Sequence, residues 1–272
     1  MATLATCQAL GAAGLQFGPR KAAALSATLA PRPRRQNYRW DLSWEACVME
    51  EQHTFLFADL AGFTALTEVH GDEFAADAVT EFSEGVRKLL PEYSAEEVKT
   101  IGDAVMVHVP DPADAVRLAK RIIGEVGRRH GALAVRVGIH TGSGVRRNGD
   151  WFGASVNLSA RVADAAEPGE VLMTAATRTG AGTGLDGLEI ERRGERRFKN
   201  VGEPTELYVL RLADQRGYAQ LPVDPVCRMA VDPERSRESR TYRGSPYQFC
   251  SSECAEVFDH DPARYAHENA GR

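Results

Sequence analysis

Runs of apolar residues separated by turn residues divide the middle of the chain into short strands and longer helices. Segment 53–60 is apolar and rich in β-favouring residues, and it ends at an aspartate followed by a glycine turn, which predicts a buried strand. Further strands are predicted at 97–101, 104–109, 132–140, 171–174 and, as a pair, within 189–212. Helices are predicted at 64–90, from 111 to about 129, and at 153–165.

The two longer helical segments carry apolar residues at helical spacing. In the first, Phe74, Ala78, Phe82 and Val86 are spaced by four and share one face, and Pro91 ends the helix. In the second, which begins at Asp111-Pro112, the inner face is formed by Val116, Ala119, Ile123 and Val126. The order β-α-β-β-α-β predicts an α+β fold with a ferredoxin-like core and added strands.

Both ends of the chain differ from this central region. Positions 1–40 hold six basic residues and no acidic ones. Residues 1–50 are therefore interpreted as a disordered extension or as sequence upstream of a true start at Met49, and an organelle transit peptide is the remaining alternative. Residues 51–212 form the predicted main domain, 213–222 a linker, and 223–266 a small module rich in turns.

Composition narrows the class of protein. The 272 residues are 43% hydrophobic and 26% charged with a net charge of −5, which is ordinary for a globular protein and gives no basic field for nucleic acid. No run approaches eighteen apolar residues, so we expect a cytoplasmic protein without a membrane partner. The five cysteines do not suggest a secreted disulfide framework, and three of them lie in the last 46 residues, which indicates metal or redox chemistry there.

Two aspartates follow predicted strands. Asp59 ends the first strand, and Asp103 lies in the tight turn between the second and third. If these strands are neighbours, both carboxylates face one pocket, where paired carboxylates suit Mg²⁺ or Mn²⁺. Gly62, Phe63 and Thr64 then lead into a helix whose free N–H groups can receive a triphosphate. Taken alone this signal is weak, because an acidic residue at a hairpin is more often only a turn residue.

Five segments together resemble the class III adenylyl/guanylyl cyclase catalytic domain. They are FADLAGFT (57–64), KTIGD (99–103), DWFG (150–153), NLSAR (157–161) and FK (198–199), and they occur in the family's order within 53–212. The resemblance implies that Asp59 and Asp103 hold two Mg²⁺ or Mn²⁺ ions per active site.

The resemblance also assigns the purine-binding pair. Lys99 and Asp150 match the residues that contact the base edge. A lysine donor suits N1 of adenine and an aspartate acceptor suits its exocyclic amine, whereas guanine presents the opposite pattern. Family members that use GTP typically carry Glu and Cys or similar residues instead. The pair therefore predicts ATP as the substrate.

The remaining matched residues act on ribose and phosphate. The resemblance implies that Asn157 orients the ribose, Arg161 stabilises charge at the reacting phosphate, and Lys199 contacts the terminal phosphates. Arg196 and Arg197 lie close to Lys199 and are alternatives to it. Because family members build each site across a dimer interface, the resemblance implies a head-to-tail homodimer with two shared sites.

The tail resembles a YHS domain in the segments DPVCRM (224–229), YRGSPYQFCSSEC (242–254) and DPARY (261–265). Arg228 stands where that family commonly has glycine. Cys250 and Cys254 are spaced i,i+4, so with Cys227 they can bind Zn²⁺ or Cu⁺, with a fourth ligand from His260 or solvent. The alternative is three reduced cysteines packed as small hydrophobic residues.

Three functional hypotheses follow. The first is an adenylate cyclase for intracellular signal transduction, whose tail senses a metal or redox state or docks the enzyme. The second is a catalytically silent nucleotide-binding scaffold with a metal-carrying tail, and the third is a guanylate cyclase. His108, His130 and His140 are expected to be structural.

Overall fold

A seven-stranded sheet forms the centre of the large domain. The computed structural model describes residues 51–127, 131–211, 221–236 and 238–266, so the N-terminal extension, His130 and most of the predicted linker lie outside the described residues. The strands are β1 (Gln52–Leu60), β2 (Glu96–Ile101), β3 (Ala104–Val109), β4 (Val135–Ser143), β5 (Val145–Arg147), β6 (Asp150–Phe152), β7 (Val171–Thr174), β8 (Glu189–Arg196) and β9 (Thr205–Arg211). Strands β5 and β6 pair with each other in a separate hairpin. The other seven form the sheet in the order β2-β3-β1-β4-β7-β9-β8, in which the β4–β7 pair is parallel and the other pairs are antiparallel.

The first six elements form the predicted ferredoxin-like core. Helix α1 (Phe63–Leu89) connects β1 to β2, and α2 (Pro112–Arg121) connects β3 to β4 and continues as a π-helical turn. The strand order β2-β3-β1-β4 is that of a split βαβ fold, so the predicted fold class is confirmed. As predicted, α2 begins at Asp111, whose carboxylate accepts hydrogen bonds from the N–H groups of Ala113 and Asp114.

Side chains of β1 alternate between two layers of helices. Leu56 and Ala58 join the buried residues of α1 and α2 on one face. Phe55 and Phe57 pack on the other face, in a cluster that includes residues of α3 (Ala154–Ala165). By the same alternation Asp59 lies on the α3 side of the sheet. The strand therefore delivers its carboxylate to that layer.

Helix α1 is interrupted, although the sequence predicts a continuous helix. Gly71 adopts φ 81° and ψ 170°, which breaks the helix after two turns. Phe82 and Val86 are buried as expected, but Phe74 is 44% exposed. Because the extended backbone at Gly71 interrupts the helical repeat, Phe74 leaves the inner face and lies against the ring of His70 instead, with 4.9 Å between ring centroids.

Strand β4 starts three residues later than predicted. Residues 132–134 leave the sheet because Leu133 bridges to Met229 of the C-terminal module. Two further elements were not predicted, the β5–β6 hairpin and α4 (Ala175–Ala181). The hairpin has a recognisable signal, since Asn148-Gly149 takes positive φ at both residues as a type I′ turn requires.

The C-terminal module is a loop, a hairpin and two short helices. The loop at 223–230 is closed by a bridge between Val223 and Ala230. It is followed by β10 (Glu238–Tyr242), β11 (Ser245–Phe249), α5 (Ser252–His260) and α6 (Pro262–Tyr265). Phe249 and Phe258 are fully buried between the hairpin and α5. The module and the large domain belong to one compact unit.

Candidate active site

Asp59 and Asp103 meet at one end of the sheet. Asp59 is paired in register with Ala104, so it lies beside the β2–β3 turn that carries Asp103. Burial, together with the charge of Asp103, raises the pKa of Asp59 to about 6. Two carboxylates that repel each other in partly buried surroundings can both bind a divalent cation, and the charge of the cation removes the repulsion between them. The residues present therefore fit the metal ions that the sequence predicts.

Arg136 is part of this site and was missed by sequence reasoning. It lies opposite Asp59 on β4, and its Nη2 lies 2.5 Å from the Asp59 carboxylate. The ion pair lowers the pKa of Asp59 and so partly offsets the increase that burial and the charge of Asp103 cause. A single arginine inside the apolar run of β4 is the signal that could have found it, because a charged residue in a central strand needs a partner.

Lys99 and Asp150 are in direct contact. Lys99 lies on β2, four residues before Asp103, and Asp150 begins β6. The Lys99 ammonium donates to the Asp150 carboxylate over 2.7 Å, and this hydrogen bond lowers the pKa of Asp150. The β5–β6 hairpin thus brings together two residues that are 51 positions apart in the chain.

Asn157 and Arg161 lie one turn apart on α3. Asn157 is exposed and Arg161 is half-buried. Helix α3 is held against the sheet by Ser159, whose hydroxyl donates to the carbonyl of Phe55 over 2.7 Å. Within the described part of the chain, the side chains of Asn157 and Arg161 have no hydrogen-bond or ion-pair partner, which leaves both free for a ligand.

Lys199 is exposed in the loop between β8 and β9. Its neighbour Phe198 packs against the cluster under α3, which places this loop near the helix that carries Asn157. The alternative Arg196 already has contacts, because its guanidinium reaches the Ala165 carbonyl at 3.5 Å and lies over the ring of Phe198.

Gly62, Phe63 and Thr64 form the start of α1. Gly62 is the N-cap residue with φ 91°, and the N–H groups of the first turn have no partner within the helix. The C-terminal module covers this turn. A Cβ on Gly62 would lie 2.6 Å from Cβ of Arg228, so only glycine fits beneath that side chain. A cleft of about 550 Å³ remains between the two domains at this point.

Comparison with known proteins identifies the family of the large domain. Residues 48–211, well over half of the chain, match the family described as the adenylate and guanylate cyclase catalytic domain. This chain belongs to that family. Residues 223–269 match the YHS domain. The large domain is therefore called the cyclase domain below, and the C-terminal module the YHS module.

Several curated relatives are described as adenylate cyclases. The pH-sensitive adenylate cyclase MT1302 of Mycobacterium tuberculosis is 35% identical over 162 residues, which cover 59% of this chain and 41% of that protein. An adenylate cyclase of Streptomyces griseus is 37% identical over 120 residues, which cover 44% of this chain and 30% of that protein. The chain thus matches less than half the length of these relatives.

Solved structures show the same fold. A Trypanosoma brucei adenylate cyclase, described as in its monomeric state, superposes with a TM-score of 0.53 at 28% identity and covers 59% of this chain and 89% of that chain. Among the described helices, none combines the length and the apolar composition needed to cross a lipid bilayer.

The three cysteines of the YHS module converge. Cys227 lies in the loop at 223–230, Cys250 directly follows β11, and Cys254 is in the first turn of α5. The Cys250 sulfur lies 3.3 Å from that of Cys227 and 3.6 Å from that of Cys254. Hydrogen bonding to these two neighbours lowers the pKa of the Cys250 thiol far below its usual range. The predicted ligand set is thus brought together.

The fourth member of this cluster is not the residue suggested by the sequence. His260 is exposed at the end of α5 and lies outside the cluster. Instead, Nε2 of His70 in the cyclase domain lies 3.5 Å from the Cys254 sulfur and 3.8 Å from the Cys250 sulfur. Sequence reasoning took ligands only from the module, and nothing in the local sequence of α1 marks His70 as a partner.

Two further histidines lie in packed surroundings. His108 stacks on Trp151 with 4.5 Å between ring centroids. Nδ1 of His140 lies 2.8 Å from the Thr174 hydroxyl oxygen. Burial lowers the pKa of both imidazoles.

Proposed function

We propose that this chain is an adenylate cyclase that converts ATP to 3′,5′-cyclic AMP and pyrophosphate in the cytoplasm, for intracellular signal transduction. The observation that carries the proposal is the 2.7 Å contact between Lys99 and Asp150, next to the turn that holds Asp103. A donor and an acceptor fixed side by side match N1 and the exocyclic amine of adenine. The names of the curated relatives support the same activity.

The chain's own residues supply positioning and charge. The N–H groups of the first α1 turn receive phosphate oxygens, and Lys199 contacts the terminal phosphates. Asn157 orients the ribose so that its 3′-oxygen lies in line with the α-phosphorus. A bond forms between these atoms while the bond from the α-phosphorus to the bridging oxygen breaks, the hydroxyl proton passes to water, and pyrophosphate leaves. Arg161 stabilises the negative charge that develops on the phosphate.

Asp59 and Asp103 are the residues that would hold Mg²⁺ or Mn²⁺. Two such ions supply activation of the ribose hydroxyl and neutralisation of the triphosphate. Arg136 holds the Asp59 carboxylate in place through the 2.5 Å ion pair, so the metal-binding oxygen is oriented before any ligand binds.

The active form is a homodimer with shared sites. Asp59 and Asp103 come from one subunit, and Asn157 and Arg161 from the other. The unpartnered side chains of Asn157 and Arg161 on the described α3 surface support this arrangement, because a partner subunit's nucleotide can reach them.

A product assay tests the proposed activity. Purified full-length chain is incubated with ATP or GTP and Mn²⁺, and cyclic nucleotide is measured. We expect cyclic AMP from ATP and little product from GTP. The double variant Lys99→Glu/Asp150→Cys should shift the preference towards GTP, since it reverses the donor and acceptor pattern. Cyclic GMP as the main product of the wild-type chain would replace this proposal with a guanylate cyclase.

A silent nucleotide-binding scaffold is the second candidate. It is favoured by one observation: the first turn of α1 lies under Arg228 of the YHS module. Absence of product from both nucleotides, together with nucleotide binding that Asp59→Ala leaves unchanged, would support the scaffold over the enzyme.

A further inference from the structure

We infer that Cys227, Cys250, Cys254 and His70 form a tetrahedral Zn²⁺ site that joins the YHS module to the cyclase domain. The new element is His70, which belongs to α1 of the other domain. One ligand atom from each of the four residues lies within 4.8 Å of all the others. The site does not depend on the proposed cyclase activity.

Four of the six distances between ligand atoms lie within about 0.5 Å of the edges of a zinc tetrahedron. For Zn–S bonds of about 2.3 Å and a Zn–N bond of about 2.0 Å, the edges are about 3.8 Å between sulfurs and about 3.5 Å between sulfur and nitrogen. The two sulfur–sulfur distances at Cys250 are 3.3 and 3.6 Å. The two sulfur–nitrogen distances at His70 are 3.5 and 3.8 Å. Packing of reduced cysteines as hydrophobic residues gives no reason for four donor atoms to converge in this way.

The module holds its three cysteines rigidly. Cys250 and Cys254 are linked by the start of α5, where the Ser251 hydroxyl accepts a hydrogen bond from the N–H of Cys254. The buried Asp224 carboxylate accepts hydrogen bonds from the N–H groups of Cys250, at 2.8 Å, and of Cys227, at 3.3 Å. One carboxylate thus holds both the segment that carries Cys227 and the segment that carries Cys250. Residues around metal sites commonly orient the ligands in this way.

The break in α1 places the fourth ligand. His70 is the last residue before Gly71, where the helix is interrupted, and its ring packs beside Phe74. Cys227 and Cys254 are completely buried. His70 and Cys250 are partly exposed, but a set of four protein ligands, which leaves no coordination position open for water, is the feature of a structural zinc site rather than a catalytic one.

Zinc at this position would fasten the module over the start of α1. His70 lies six residues after Thr64, and Arg228, next to Cys227, covers Gly62. Removing the metal should therefore loosen the contact between Arg228 and the first turn of α1. Hydrogen exchange in residues 62–70 and 225–230 is expected to become faster after chelation.

The decisive experiment measures zinc in the full-length chain. We expect about one zinc ion per chain, with Co²⁺ substitution giving the absorption spectrum of a tetrahedral thiolate site. His70→Ala should weaken zinc binding more than about 10-fold in competition with a chelator, since loss of even an outer partner has an effect of that size. Cys250→Ser should abolish binding.

Two further variants make the result unambiguous. His260→Ala removes an exposed histidine of the same module and should leave zinc affinity unchanged. His70→Cys replaces the ligand and should restore tetrahedral binding with a stronger thiolate band. Unchanged affinity and spectrum in His70→Ala would overturn the inference, as would a metal-free chain that does not take up zinc, copper bound in place of zinc, or a disulfide among the three cysteines. Because this experiment measures bound metal and not cyclic nucleotide, its outcome does not depend on whether the chain has cyclase activity.

Discussion

The charges around Asp59 leave the site ready for cations. Asp103 and Asp164 both raise the pKa of Asp59 by repulsion, and Arg136 lowers it. Three carboxylates, when ionised, and one guanidinium leave a net charge of −2 at the end of β1. The single arginine is not enough to balance the carboxylates, so the pocket attracts cationic ligands while Asp59 stays oriented.

His140 should make the chain sensitive to acid. Burial lowers its pKa from 6.5 to about 4. Between these pH values the imidazole is mostly neutral in the folded state and mostly protonated in the unfolded state. Stability is therefore lost as pH falls from about 6.5 towards about 4. We expect His140 to contribute a loss of about 2 kcal/mol between pH 7 and pH 5. Urea unfolding at both pH values measures it, and His140→Gln should show a correspondingly smaller difference. An equal difference in the two proteins would contradict this assignment.

At the level of elements, the close packing of α3 on β4 decides where Asn157 and Arg161 lie. Gly138 of β4 faces the backbone of α3, and a Cβ there would lie 2.0 Å from the nitrogen of Ala163. The absence of a side chain lets the helix approach the sheet closely, and the Ser159 hydrogen bond to Phe55 fixes its position along the strands. The residues proposed to act on ribose and phosphate are thus carried by a tightly seated helix.

Gly138→Ala should push α3 away from the sheet. Because the added methyl group meets backbone rather than a flexible side chain, we expect destabilisation at or above the usual 1–3 kcal/mol for overpacking, roughly. The free energy of unfolding in urea measures this. Gly124→Ala is the matched control, since a Cβ there meets nothing within 4 Å. The Gly124→Ala substitution should leave the free energy of unfolding unchanged or raise it slightly. A similar loss of stability in both variants would show that α3 does not depend on the close contact at Gly138.

At the scale of the whole molecule, one chain carries all the residues proposed for the site but is proposed to work as half of a dimer. The YHS module lies on the same chain over the start of α1, with a bridge from Met229 to Leu133 joining the two domains. The module is therefore attached to the part of the cyclase domain that carries the proposed metal ligands.

Mixing two inactive variants tests the shared sites. Asp59→Ala and Asn157→Ala chains should each be inactive, because each removes one half of both sites. In an equal mixture of exchanging symmetric dimers, half are heterodimers with one intact site, so about a quarter of wild-type activity should return. Cyclic AMP formation measures the recovery. A mixture that stays inactive although subunit exchange is demonstrated would rule out sites shared in this way.

The sequence by itself predicted most of the local elements and the cyclase motifs, but not the β5–β6 hairpin, α4 or the break in α1. Periodicity placed α2, which buries one regular face, and the apolar run at 53–60 placed β1, which is buried on both faces. Helix α3 lies within its predicted bounds. The resemblance to the cyclase family also brought Lys99 and Asp150 into one hypothesis before their contact was known.

Tertiary structure alone decided which distant residues meet. Arg136 reaches Asp59 through strand register, and His70 reaches the cysteines through the packing of two domains. The late start of β4 has the same origin, since Leu133 leaves the sheet to pair with Met229. Local sequence sets which backbone conformation is favoured, and it can mark a residue such as Arg136 as needing a partner. Which partner that residue meets depends on how whole elements pack, because the two residues lie far apart in the chain.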